Sequence, residues 1–342
     1  NDVILKMKQA GARIAAAARR KEAERMFEPA LNEIVRYDRI VLHRHANPDG
    51  DALGSQIGLK YILTENFPQK DIRMVGDGAG RYAFMEGFSI DAVPDAFYAG
   101  ALAVILVCGS AHLVSDARYA LADRTLRIDH HLFTGRFADV EIIDSAYESC
   151  CGLITSLAME TKLRIPPLAA TALFTGMVTD SGRFRYDATT AETFERAAFL
   201  LRAGAKPDDV YAELYAQDFG MIRLRAELSL QIRFTPHRVA YLYTDAETVR
   251  AMRMDASMLS RSMVGLMSDI RGVDVWVNFT ESEQGVLCEL RSSRRNINPV
   301  AVKYGGGGHE KASGATVADR ATAMHMLDDL DELAGGMDGT GC

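Results

Sequence analysis

No stretch of this 342-residue chain approaches the ~20 consecutive apolar residues that a bilayer span requires. Asn1 to Arg20 carries scattered charges and lacks the apolar core of a secretory signal. The chain starts at Asn1 rather than Met, as expected of a trimmed N-terminus. Cysteine is scarce: Cys108, Cys150, Cys151, Cys288 and Cys342 make five, an odd number, with two adjacent and none at zinc-finger spacing. A disulfide framework is therefore not expected, and free thiols in a reducing cytosol are. Basic excess is also missing, since the net charge is −7 and the pI is near 5.7. A protein that grips long duplex through its phosphates needs a basic face, so that partner class is disfavoured, whereas a short phosphorylated ligand is not. There is a single tryptophan, Trp276, and the tyrosines do not alternate with basic residues as in an extended single-strand platform. Trp276 is expected to pack within a strand. Neither a membrane nor long duplex is an expected partner, and a homodimer is left open.

What is present is an ordinary globular balance, 48% hydrophobic and 25% charged, in a length that suggests two domains at ~150 residues each. Residues 1–37, with the alanine-rich run from Ile14, read as a helical segment without evident chemistry. From Asp38 short apolar runs at 39–43, 72–75, 102–107, 126–128 and 140–143 alternate with helical stretches near 52–65, 147–162, 167–178, 190–203 and 207–230. Such alternation predicts an α/β domain with a mostly parallel sheet covered on both faces. After about 230 the runs at 238–243, 273–279 and 286–291 include alternating patterns suited to half-exposed strands, followed by four glycines and a last helix near 319–334. The expected division is a domain over 38–230, a smaller α/β domain over 231–334 and a frayed tail over 335–342.

Three clusters carry chemistry. His45-Ala-Asn-Pro-Asp49-Gly-Asp51 lies where the first run ends and a helix begins, the end of a sheet at which open α/β folds bind ligands. Pro48 and Gly50 force a turn that lets Asp49 and Asp51 face one site. Taken singly, Asp51 is as readily a helix cap and His45 a packed core residue; together they suit a hard or borderline cation such as Mn²⁺. Asp129-His130-His131 follows another run, and past a strand end one ring can face a metal while the other faces substrate or solvent. Thr179-Asp180-Ser-Gly-Arg183-Phe-Arg185 ends a helix, with Asp180 a candidate ligand and the arginines candidate phosphate contacts. In the second domain Gly305–Gly308 beside His309, with Arg291, Lys303 and Lys311 nearby, reads either as an anion-binding loop or as a flexible linker.

In this order and spacing the clusters resemble motifs I, III and IV of the DHH phosphoesterases, and Arg291-Ser-Ser with Gly305-Gly-Gly-Gly-His309-Glu-Lys-Ala-Ser313-Gly resembles the DHHA1 signature. The likeness spans about 38–334, and within the family the arrangement is similar to that of the nanoRNase/pAp phosphatase group. It implies a dinuclear manganese centre in the catalytic domain, with His45 and Asp49 on one ion and Asp51, His130 and Asp180 on the other. It also implies His131 for substrate contact or proton transfer, Asp129 in support, and Arg183, Arg291, Gly306, Gly307, His309 and Ser313 for the nucleotide.

The family's motif II carries a bridging aspartate, and alignment puts Val107 there. Valine has no lone pair to give. Three explanations stand: an inactivating change, a shifted frame with Cys108 as ligand, or replacement by His112 or a bridging water. The expected function is hydrolysis of short RNA, linear dinucleotides or 3′-phosphoadenosine 5′-phosphate between two domains, impaired by Val107. Cyclic-dinucleotide or polyphosphate hydrolysis, and silent nucleotide binding, are the alternatives.

Overall fold

The computed structural model describes residues 26–336. Most of the expected helix over 1–37 and the end of the expected tail lie outside the described residues. Two compact units divide at Ala216 and Gln217.

The first unit runs α1 (Glu28–Arg36), β1 (Arg39–Arg44), α2 (Gly50–Asn66), β2 (Asp71–Met74), β3 (Leu102–Leu106), β4 (Arg124–Asp129), β5 (Val140–Ile143), α3 (Cys150–Thr161), α4 (Pro167–Asp180), α5 (Ala191–Arg202) and α6 (Pro207–Tyr215). Its sheet has the order β2-β1-β3-β4-β5 with every pair parallel. All of β3 and all but the first residue of β1 are buried, which is why these strands read as unbroken apolar runs rather than alternating ones. Ile40, Leu42, Leu102, Val104 and Leu106 share one core with α2, α3 and α4. The other face is covered at Val41 by Val93 and Tyr98 and at Ile105 by Val114, all from irregular segments.

Helices α2 and α4 hold the site together through small residues. A Cβ built at Gly50 would collide with Thr179, one at Gly54 would sit 2.5 Å from the Ala172 carbonyl oxygen, and one at Gly58 would sit 2.6 Å from the Leu173 side chain. The pairing Gly50–Thr179 and Gly58–Leu173 shows that the two helices run antiparallel with their backbones close. The start of α2 therefore lies beside the end of α4.

The second unit runs α7 (Phe219–Ser229), β6 (Arg233–Phe234), β7 (Ala240–Thr244), α8 (Ala246–Met252), α9 (Ala256–Met263), β8 (Val275–Ser282), β9 (Gly285–Ser292), α10 (Asn298–Lys303), β10 (Gly307–His309), β11 (Ala312–Val317) and α11 (Arg320–Gly335). Its sheet order is β10-β11-β9-β8-β7-β6, antiparallel except for β7 with β8. Burial alternates along β9, whereas β8 is buried on both sides from Val275 to Thr280. The single helix expected over 207–230 is two, because Ala216 is extended and Asp218 caps α7 by accepting from the Gly220 N–H. The units part before α7 rather than near 231, since Leu228 packs in one core with Ala240, Leu242 and Trp276.

The helix contact yields a test. Gly54→Ala is expected to cost about 1–3 kcal/mol in urea unfolding because it presses on backbone that cannot turn aside. Gly58→Ala is expected to cost less, because it presses on a side chain, Leu173, rather than on backbone. Equal costs would contradict the close backbone packing.

Candidate functional site

The chain leaves β1 through Arg44, an arginine that is fully buried. Its guanidinium donates to the Gln56 side chain at 3.0 Å, to the His45 carbonyl at 3.2 Å, to the Asp77 carboxylate at 2.8 Å and to the Asp77 carbonyl. Asp77 also accepts from the Asn47 N–H at 2.7 Å and from the Ser115 hydroxyl at 2.8 Å. Burial opposes charge on Asp77, but these hydrogen bonds outweigh it and hold its pKa below the usual carboxylate value. The loop that carries His45 and Asp49 is thus tied to segments 30 and more residues away.

Asp49 is the N-cap of α2, accepting from the Ala52 N–H at 2.8 Å, and lies 3.7 Å from His45 Nε2. Burial works against charge on the His45 ring, yet the Asp49 carboxylate prevails and raises its pKa. Asp51, two residues on, is 1% exposed. Its two oxygens accept the main-chain N–H groups of Cys150 at 2.9 Å and Cys151 at 2.8 Å, at the start of α3, where the helix dipole favours an anion. Asp51 therefore lies in the first turn of α2 and anchors α3.

Asp180 ends α4, and His130 follows the last residue of β4. His130 Nε2 is 3.3 Å from Asp180 and 3.7 Å from Asp51, and the donor atoms of Asp51, His130 and Asp180 all lie within 4.8 Å of one another. Burial raises the pKa of Asp51 and, joined by the charges of Asp51 and Asp49, pushes that of Asp180 up to about 8. These are carboxylates too close together to be ionised comfortably without a counter-charge.

The neighbouring His131 is half exposed, with Nδ1 2.7 Å from Asp129. Asp129 also accepts from Arg127 at 2.6 Å, both side chains being fully buried, and Arg127 lies 4.6 Å from the Phe137 ring centroid. Burial would raise Asp129, but His131 and Arg127 hold it at about 2, and Asp129 in turn raises His131.

Val107 sits just past β3, 2% exposed, its N–H donating to the Ile128 carbonyl at 3.2 Å. Its φ of 56° is a left-handed conformation that a β-branched residue adopts only at a cost. The thiol of Cys150, the residue whose N–H holds Asp51, lies against the Val107 main chain. Burial pushes the Cys108 thiol up to about 12, so it is no thiolate at neutral pH. His112 lies in an exposed turn against Ser110. A cavity of about 570 Å³ lined by Phe84, Leu168, Thr171, Lys206 and Val210 shares no residue with the acid cluster.

In the second unit the glycine run is part of a hairpin. Ser313 is buried and donates to the His309 carbonyl at 2.7 Å, while Asn298 donates to the Gly308 carbonyl at 2.8 Å and to the Ser313 hydroxyl at 3.2 Å. Gly308, with φ 137°, has a conformation closed to other residues. Arg291 on β9 pairs with Glu289 at 3.1 Å, and His309 is exposed. Gly306 stands between α10 and that hairpin, and Gly307 opens β10, paired with Gly314. Arg44, Gln56, Asp77, Ser115 and Asn298 are not legible as site residues in the sequence because their partners come from other segments, and Arg127 because its burial beside Asp129 is a property of the fold.

Comparison with known proteins follows the same division. Residues 39–177 match the model of the DHH family N-terminal domain and residues 249–336 that of the DHHA1 domain. The chain is 31% identical to the bifunctional oligoribonuclease and PAP phosphatase NrnA of Bacillus subtilis (strain 168), over 89% of this chain and 97% of that one. It is also 31% identical to the protein of the same name from Mycoplasma genitalium, over 88% and 95%. A crystal structure of an exopolyphosphatase-related protein from Bacteroides fragilis shares the fold, with a TM-score of 0.78 at 24% identity, covering 90% of this chain and 95% of that one. With both domain matches in order and relatives aligned along nearly their full length, the chain belongs to the DHH family in its two-domain DHH–DHHA1 form.

Proposed function

We propose that this chain is a metal-dependent hydrolase that cleaves phosphoester bonds in short oligoribonucleotides, linear dinucleotides or 3′-phosphoadenosine 5′-phosphate. The observation that carries this reading is the convergence of Asp51, His130 and Asp180, from three separate elements, on one point. The names of full-length relatives, oligoribonuclease and PAP phosphatase, support the substrate class. Four buried free thiols suit a reducing cytosol.

The donors fit a divalent cation. The repulsion that pushes Asp180 to about 8 is the kind a cation removes. Oxygen and imidazole donors suit manganese or a similar ion. Asp51, His130 and Asp180 would hold one ion, and His45 with Asp49 a second. When bound, such ions lower the pKa of water and offset charge on the attacking and leaving oxygens of a phosphoester.

The chain's own groups do the remainder. Asp129 holds the His131 ring through Nδ1, leaving Nε2 for substrate. Asp129 also raises the His131 pKa, which favours the protonated ring, the form that would pass a proton from Nε2 to the leaving oxygen. Arg127 keeps Asp129 ionised through that transfer. In the second unit, Arg291, Gly306, Gly307, His309 and Ser313 are the proposed nucleotide contacts, with Ser313 acting through the hairpin it braces.

Val107 favours a second reading, a chain that binds nucleotide but turns it over slowly. Its left-handed backbone costs about 1–2 kcal/mol for an L-residue with a branched side chain and suits aspartate far better. Val107→Asp is expected to raise both manganese atoms per chain and pApA turnover, read by elemental analysis and product chromatography. Val107→Asn fits the same backbone without the charge and is expected to stay near the starting rate. No change in cation content or rate with aspartate would show that the bridging position lies elsewhere.

A pH test probes the acid cluster directly. In chelator the folded chain keeps the Asp180 proton up to about 8, whereas an unfolded chain releases it near 3.8. The folded state binds more protons between those values, so this group's contribution to stability is lost as pH rises through them. Asp180→Asn is therefore expected to gain thermal stability over its parent progressively from about pH 5 to pH 8, and added Mn²⁺ is expected to narrow that gap. A constant difference across the range would count against charge repulsion at the site.

A further inference from the structure

The turn after Asp180 has an unusual backbone. Gly182, Arg183 and Phe184 are consecutive left-handed residues, with φ of 57°, 64° and 61°. Such conformations are costly for side-chain-bearing residues and persist only where the surroundings hold them. Here the hold is visible. The Arg183 N–H donates to the Val178 carbonyl at 2.8 Å, the Phe184 N–H to the Ser181 hydroxyl at 2.9 Å, and the N–H groups of Arg185 and Tyr186 to the Ser181 carbonyl at 3.0 and 3.1 Å. The Phe184 ring is pinned between Phe174 and Phe194, at centroid distances of 6.1 and 5.4 Å.

With Phe184 turned inward, Arg183 is left exposed against α6. Its guanidinium carbon lies 4.9 Å from the Tyr215 ring centroid, and Tyr215 stacks on Tyr211 with centroids 5.7 Å apart and planes 23° from parallel. Tyr211 rests on the half-buried side of the unit against Phe174, while Tyr215 is 40% exposed. Among the described residues no carboxylate pairs with Arg183. Arg81 and Tyr82 lie close enough to influence the Tyr215 hydroxyl, whose pKa is raised chiefly by burial. The result is a column, Tyr211–Tyr215–Arg183, rooted in the core at one end and open at the other. Arg183 is only three residues from Asp180, so its Cα lies within roughly 11 Å of that residue's Cα by the reach of the chain.

We propose that Arg183, backed by Tyr215 and Tyr211, is a stacking platform for a nucleobase flanking the scissile phosphate. Planar guanidinium groups backed by aromatic rings take up unstacked bases with little regard to their identity, because every base has a π-face. Arg183 thereby reads the base rather than the phosphate, and gives the site a preference for nucleotides over base-free phosphoesters. This inference rests on the nucleotide-hydrolase reading and names a specificity determinant within it.

The test compares pApA with an analogue in which one adenine is replaced by an abasic ribose, in manganese. Tyr215→Ala and Arg183→Lys are expected to raise KM for pApA about tenfold more than KM for the analogue, the size of one base-stacking contact, with Tyr215→Phe close to the parent. Lysine keeps the charge but loses the plane, so it separates stacking from phosphate binding. Equal changes on both substrates, or none, would overturn the platform. A dinucleotide carrying 2-aminopurine supplies a readout independent of turnover: its fluorescence is expected to be quenched on binding the parent and largely restored by either variant. An unquenched complex with the parent would overturn the proposal even if the chain hydrolyses pApA. Quenching without turnover in the parent or in Val107→Asp would sustain the platform and reject the hydrolase reading instead.

Discussion

The arrangement depends on how closely two helix backbones approach. Gly50, Gly54 and Gly58 let α2 lie against α4 where any larger residue would meet a carbonyl oxygen or a neighbouring side chain. That contact sets Asp51 at the start of one helix beside Asp180 at the end of the other. The third helix is fastened by the same acid, since Asp51 accepts the first N–H groups of α3. Three helices and the end of β4 therefore share one buried carboxylate as their junction, and the donor cluster is a consequence of packing rather than of a mobile loop.

Around this junction the protein tolerates charges that a core selected only for stability would avoid. Buried ion pairs recover their desolvation cost poorly, so their value here is in fixing geometry. Arg44 with Asp77 ties the His45–Asp49 loop to the segment after β2, and Arg127 with Asp129 sets the ring of His131. The two networks differ in kind from the acid cluster. Each contains its own counter-charge, whereas Asp51 and Asp180 have only histidines near them, and burial together with neighbouring carboxylates raises the proton affinity of both. An uncompensated excess of negative charge, held rigidly, is the physical signature of a cation site.

Much of this was legible in the chain itself. His45, Asp49 and Asp51 are neighbours in sequence, and the turn residues between them announce a change of direction at a strand end. The parallel sheet was legible because strands such as β1 and β3 are buried nearly throughout and show as uninterrupted apolar runs. Arg44 and Asp77 were not, because a buried arginine looks like a surface one until its partner, 33 residues on, is known to lie beside it. The hairpin of β10 and β11 escaped notice because glycines carry no pattern of burial, and the break between α6 and α7 because a three-residue interruption hardly disturbs helical periodicity. That both sheet faces are covered was legible, but not that Val93, Tyr98 and Val114 do part of the covering, since they belong to no periodic element. Val107 was legible as a missing donor but not as a strained residue, since φ is a property of the fold.

The central claim is that side chains from separate elements form one cation pocket. Crystals grown or soaked with Mn²⁺ and measured at its absorption edge test it most directly. The account predicts an anomalous peak within bonding distance of Asp51, His130 and Asp180 together. Well-ordered crystals with those three side chains resolved and no peak among them, or with manganese bound only elsewhere, would contradict it.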